Sequence, residues 1–176
     1  MLRPAALPLL LLAVAPVAAQ TRHNTNAPID FAAGQIELQD RANRAILSGN
    51  VKVRQAEMTL DAQRMTVAYT GEVVGGNPQV SRLDAAGGVV VRRPDQTARA
   101  QYAIYDLNRR LITMVGNVQL TQGGGNTVNG GRLTINLDTG RATIDGSAVS
   151  GGARPGNVVE NPRGRVTGTF SVPDRR

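Results

Sequence analysis

Apolar and polar residues alternate one by one along most of this chain. The alternation is clearest in Ile36-Glu37-Leu38, Val51-Lys52-Val53-Arg54, Met65-Thr66-Val67-Ala68-Tyr69 and Leu133-Thr134-Ile135-Asn136-Leu137. A period of two places the apolar side chains on one face of a strand and the polar ones on the other. No window between Ile29 and Val149 carries an i, i+3, i+4, i+7 apolar stripe of helical length, so this region is predicted to be almost entirely β.

A second pattern lies over the first. Ser48-Gly49-Asn50-Val51-Lys52-Val53 returns as Gly87-Gly88-Val89-Val90-Val91, as Val115-Gly116-Asn117-Val118-Gln119-Leu120, and in worn form as Gly146-Ser147-Ala148-Val149. Gly49, Gly88, Gly116 and Gly146 are spaced 39, 28 and 30 residues apart. The longer first interval holds a polar, glycine-rich excursion from Thr70-Gly71 to Asn77-Pro78, read as an inserted loop. A period near thirty marks a stacked or coiled β architecture. A glycine inside a strand marks a bulge, a kink or a close backbone approach, so the repeated glycines are expected where strands cross a bend.

Turn chemistry separates the strands. Asp106-Leu107-Asn108-Arg109 and Asp138-Thr139-Gly140-Arg141 each open on Asp and carry Asn or Gly two residues later, and Asp40-Arg41-Ala42-Asn43-Arg44 is the same device with one extra residue. Asp bonds to the backbone beyond it, and Asn and Gly tolerate the left-handed conformation that hairpins require. Aligning the repeats brings Met65, Val67 and Tyr69 into the same columns as Ala103, Tyr105 and Leu107 and as Leu133, Ile135 and Leu137, which are predicted to face inward.

The ends differ from the middle. Residues 1–19 have Arg3 as a positive start, an apolar run from Ala5 to Val17 and the small residues Val17-Ala18-Ala19, the pattern of a cleaved export signal cut between Ala19 and Gln20. The run is shorter than the roughly 20 residues that span a bilayer. Residues 20–28 are a polar lead-in containing His23, the only histidine, expected to be solvated. Residues 29–150 are long enough for one domain with its own core. Residues 151–176 are rich in Gly, Pro and Arg and poor in apolar side chains, and are read as a disordered basic tail with at most a transient strand in Thr167 to Val172.

Composition then narrows the chemistry. The absence of cysteine excludes disulfides and thiolate catalysis. No metal-ligand cluster, nucleophile elbow, cofactor motif or histidine base falls within the domain, and Gly123-Gly124-Gly125 lacks the lysine and helix of a phosphate loop. The chain is therefore read as non-enzymatic, without cofactor or metal. A positive balance of +7 favours anionic partners such as phosphorylated lipid. Nucleic acid is disfavoured, because the basic residues are not interleaved with stacking aromatics.

With no tryptophan, two phenylalanines and three tyrosines, the interior must be filled by Met, Val, Ile, Leu and Ala. A slot so lined either is closed by its own side chains or accepts acyl chains, each buried CH₂ contributing about 0.8 kcal/mol. An exported β-solenoid, structural or carbohydrate-binding, stands as the alternative architecture, although its coils should be more regular than these intervals.

The stretch from Pro28-Ile29-Asp30 through Asp40-Arg41-Ala42-Asn43-Arg44-Ala45-Ile46-Leu47-Ser48-Gly49-Asn50-Val51-Lys52-Val53-Arg54-Gln55 resembles the LptA/OstA-like domain family of lipopolysaccharide transport. Met58 to Tyr69 and Leu83 to Val91 continue the likeness, which covers about residues 28–149. One departure is Ala56, where the family usually has Gly, so the turn there is expected to differ. The resemblance implies an incompletely closed, twisted β-jellyroll whose two sheets open into a groove for lipid A acyl chains. It implies a periplasmic bridge between the inner and outer membranes. The implied groove residues are Ile36, Leu38, Val51, Val53, Met65, Val67, Met114, Val118, Leu120, Leu133, Ile135 and Leu137. It also implies strand-edge partners: an inner-membrane LptC-like protein at the first strands near Ile36 and Leu38, and a second copy or an outer-membrane LptD-like protein at the last strands near Ile144 to Val149.

Overall fold

The computed structural model describes residues 23–71, 76–146 and 166–169. The expected export signal in residues 1–19 and most of the tail lie outside the described residues. Ten strands form one antiparallel sheet: β1 (Ile29–Ala32), β2 (Gln35–Gln39), β3 (Arg44–Gln55), β4 (Met58–Thr70), β5 (Gln79–Arg93), β6 (Gln96–Asp106), β7 (Leu111–Gln122), β8 (Thr127–Asn136), β9 (Ala142–Asp145) and β10 (Thr167–Thr169). The only helical element among the described residues is a single 3₁₀ turn, Asp40–Ala42. The sheet runs β1-β3-β4-β5-β6-β7-β8-β10, with β2 beside the first half of β3 and β9 beside the second half of β8. Every pairing is antiparallel, so a parallel β-solenoid is excluded for the described residues.

Every second long strand, β3, β5 and β7, is broken in the middle by a bulge. In β3, Gly49-Asn50 stands opposite the single residue Gln63; in β5, Gly87-Gly88 stands opposite Gln101; in β7, Gly116-Asn117 stands opposite Gly131. All six bulged residues have positive φ, between 49° and 85°. Two left-handed residues in succession turn the strand sharply, and only Gly or Asn adopts that geometry cheaply. The bulges line up across the sheet as a spine, and the sheet folds over along it into two layers. One layer holds β2, the first half of β3, the second half of β4 and so on to β9; the other holds β1, the second half of β3 and so on to β10. Gly49, Gly88 and Gly116 thus sit at the expected bends. Gly146 does not, because β9 ends at Asp145, and Ser147 to Val149 lie outside the described residues.

The inward columns hold. Ala45, Val67, Leu83, Tyr105, Ile112 and Ile135 form one buried row across a layer, and Leu47, Met65, Ala85, Ala103, Met114 and Leu133 form the next. A single sheet cannot bury its own face. These side chains are covered because the second layer, with Val51, Val53, Leu60, Val89, Val91 and Leu120, stacks on them.

The turns follow the expected chemistry with two exchanges of roles, the first being that Arg110 (φ 55°) rather than Asn108 takes the left-handed position between β6 and β7. Asp106 Oδ1 accepts the Arg109 amide at 2.9 Å, as its turn signal requires. In the β8–β9 turn, however, Asn136 Oδ1 accepts the amides of Asp138 and Thr139, at 3.0 and 2.9 Å, while Asp138 pairs with Arg110 across to the neighbouring turn. Asn136, the last residue of β8, stands two and three residues before those amides, the spacing of an Asx turn. Asp40 closes its 3₁₀ turn and accepts the Tyr69 hydroxyl at 3.0 Å. Burial, followed by the bond to Asp40, pushes the Tyr69 pKa up.

At the β3–β4 turn, Ala56 takes φ +49°, so the turn keeps the left-handed geometry that glycine would adopt. A left-handed Ala costs about 1–2 kcal/mol, and Gly gives back part of that through the entropy of its unfolded chain. Ala56→Gly is therefore expected to raise stability by about 0.5–1 kcal/mol in urea unfolding, with an unchanged slope.

The tail contributes more than its composition suggests. Thr167–Thr169, assigned from sequence to a disordered segment, forms β10 against Thr127, Val128 and Asn129 of β8. Pairing of this kind uses backbone groups alone and needs no apolar side chains, so the strand allowed within Thr167 to Val172 forms although the composition around it reads as disordered.

Candidate functional site

The slot between the layers is the one feature that unites the predicted residues. Val51, Val53, Met65, Val67, Met114, Val118, Leu120, Leu133, Ile135 and Leu137 all lie inside it, each buried. Between them the side chains meet and close the interior. The remaining two predicted residues, Ile36 and Leu38, face the same slot but are left open.

Register explains why. Ile36 stands beside Leu47 and Leu38 beside Ala45, both inward residues, so β2 points its apolar side chains into the slot. On the facing layer, Phe31 of β1 stands beside inward Val53. Yet Phe31 is 46%, Ile36 46% and Leu38 54% exposed. They are inward-facing side chains at the first edge of both layers, with no further strand beyond them among the described residues. Together they form an apolar mouth.

The opposite end of the slot is built differently. Ile144 of β9 stands beside Leu133 and faces inward, and its Cγ2 lies 2.4 Å from where a Cβ on Gly130 would be. The absence of a side chain at Gly130 lets Ile144 settle over β8 and narrow that end. Partial burial of Ile144 and Ala142 against the core follows from this contact.

Among the described residues two polar side chains are buried at the slot, Gln96 at the start of β6 and Gln55. Gln55, the last residue of β3, is buried, and all its hydrogen-bonding capacity is used. Its amide nitrogen donates to the carbonyls of Thr25 and Ala27, at 2.9 and 3.0 Å. Its oxygen accepts the Tyr105 hydroxyl at 2.7 Å and pairs with His23 Nε2 at 3.1 Å. Burial raises the Tyr105 pKa to about 12, against a smaller lowering by the bond to Gln55, so the hydroxyl keeps its proton and remains a donor. His23 is therefore not simply solvated, since it belongs to this cluster. Gln55 was legible in the sequence as a polar residue in the inward phase of Val51-Lys52-Val53-Arg54-Gln55, and Phe31 as an apolar residue in phase with Ile29.

The outer faces are charged and exposed. Asp61 is flanked by Lys52 at 3.9 Å and by a direct ion pair to Arg92, and Arg82 grips Asp84 at 2.7 Å. Such surface pairs contribute little to stability. Among the described residues no group of three His, Asp or Glu side chains is arranged to hold a metal ion.

An unclosed antiparallel sheet folded along a glycine spine, apolar inside and open at one edge, defines an open β-jellyroll. Residues 31–141 match the family of the LptA/(LptD N-terminal domain) LPS transport proteins, and the chain belongs to that family. An uncharacterised protein of Rhizobium meliloti (strain 1021) is 32% identical over 125 residues, covering 69% of this chain and 67% of that protein. Among solved structures, the fold is similar to LptH of Pseudomonas aeruginosa, described as the LptA-homologous periplasmic component of the lipopolysaccharide transport device. The TM-score is 0.68 at 18% identity, over 85% of this chain and 99% of that one.

Proposed function

We propose that this chain is a non-enzymatic, periplasmic component of lipopolysaccharide transport that carries lipid acyl chains between its two sheet layers. Family membership supports the system, and the mouth formed by Phe31, Ile36 and Leu38 is the observation that carries the lipid reading. Three large apolar side chains that face a core yet remain in water are a standing cost, and an acyl chain laid on them removes it. Ile36 and Leu38 receive the lipid in this reading. Val51, Val53, Met65, Val67, Met114, Val118, Leu120, Leu133, Ile135 and Leu137 line the path that opens as the layers part. The strand edges are the docking surfaces: β1 and β2 for an inner-membrane LptC-like partner, and the β9 and β10 side for a second copy or an outer-membrane LptD-like partner, each by added strand pairing.

Photo-crosslinking in living cells tests this. A photoreactive residue at Ile36, Leu38, Val67 or Leu133 is expected to form adducts with lipopolysaccharide, while outward Lys52 and Thr66 form none. Adducts at Ile36 and Leu38 alone would confine lipid to the mouth. No adducts at any inward position in a folded, exported protein would end the lipid reading.

A further inference from the structure

We propose that Gln55 stitches the two layers together at their free ends, making residues 23–28 a strap across the slot that must open for an acyl chain to pass; this rests on the lipid-carrying reading above. Gln55 lies in β3 and Tyr105 in β6, which are not neighbours in the sheet. Their 2.7 Å hydrogen bond can be made only across the gap between layers. Both residues are remote from the spine: Gln55 ends β3, and Tyr105 precedes the last residue of β6. The bond therefore joins the lips of the fold. Residues 23–28 are drawn over the same place by His23, Thr25 and Ala27, all bonded to Gln55.

The position has a consequence for any amphiphile. A charged headgroup cannot follow its acyl chains into an apolar slot, because burying an unpaired charge is prohibitive. It must stay outside while the chains travel inside. The spine is continuous backbone, so the connection between headgroup and chains can run only through the lips. Between the β1/β2 edge and the β9 edge it meets Gln55, Tyr105 and the strap. The strap is held by hydrogen bonds that water can replace at modest net cost, and alternate residues 24, 26 and 28 are exposed, so it is built to release.

Hydrogen exchange and binding of the fluorescent acyl mimic N-phenylnaphthylamine, on the mature full chain and on Tyr105→Phe, test the stitch. Losing one hydroxyl donor should raise amide exchange over residues 24–31 about fivefold and leave the spine unchanged. The open population, and hence the affinity for the probe, should rise by the same factor. Gln55→Met, which keeps the volume and removes every bond, should exceed both changes; if it fails to fold, Tyr105→Phe carries the test. Unchanged exchange in Tyr105→Phe overturns the stitch. Faster exchange with equal probe affinity overturns the gate and leaves the lipid reading standing. Faster exchange with no binding by either protein sinks the lipid reading, and the gate with it.

Discussion

Leu133→Asp is expected to leave the domain unfolded at room temperature. Leu133 is fully buried between Met114 on β7 and Ile144 on β9, with no polar group provided for it on either side. A carboxylate there must either remain charged without a partner or take up a proton, and the effective penalty is several kcal/mol on top of the lost Leu contacts. Small domains are stable by only about 5–15 kcal/mol, so one such change consumes most of the margin. Thr134→Asp, one residue along on the outer face, should change stability by no more than about 0.5 kcal/mol. Circular dichroism and urea unfolding of both variants make the comparison. Near-native stability of Leu133→Asp would mean that water already reaches the slot, and the interior would then be an open groove in the free protein rather than a closed one.

The second large effect belongs to the spine. Gly87→Val is expected to destabilise the domain by about 3 kcal/mol, through left-handed strain in a β-branched residue together with overpacking. Gly87 has φ +85°, and an added Cβ would lie 2.8 Å from Cβ of Gln63, an atom fixed to its own backbone and unable to swing away. Its neighbour Gly88 offers a control. Gly88 has φ +64° with nothing within 4 Å of an added Cβ, so Gly88→Ala should cost only the strain, about 1 kcal/mol. Equal effects in chemical denaturation would show that Gln63 yields, and that the bend tolerates side chains on its outer surface.

The two substitutions probe the two devices from which the fold is made. Alternation supplies a face to bury, and the bulges let one sheet bury it against itself. The same bend leaves two pairs of strand edges unjoined. At the first pair Phe31, Ile36 and Leu38 remain in water, whereas at the other Ile144 closes over Gly130. The domain is therefore polar in direction, with one apolar mouth and one narrowed end.

Much of this was legible in the residues themselves. The period of two in Met65 to Tyr69 and Leu133 to Leu137 determined which side chains face inward, since a strand has only two faces and water decides between them. The repeated Gly-Asn and Gly-Gly pairs determined where the strands bend, because few other residues accept consecutive positive φ at low cost. Where the local signal was weaker it failed. Asn136 displaced Asp138 as the turn's acceptor, Arg110 took the left-handed position expected of Asn108, and Thr167–Thr169, allowed at most a transient strand, pairs with β8.

Other features depended on residues far apart in the chain. Alternation marks Ile36 and Leu133 alike as inward, and only the folded arrangement separates them: Leu133 has a strand on either side, while Ile36 lies in the outermost strand of its layer. Burial is a property of what stands opposite, and no local pattern encodes that. The same holds for Gln55, whose partners lie 28 to 50 residues away in the chain. The sequence by itself determined the strands, their faces and their bends, because those depend on local geometry and on contact with water. Only the tertiary structure decided which inward residues are closed in and which form the mouth, because that depends on where the sheet runs out of strands.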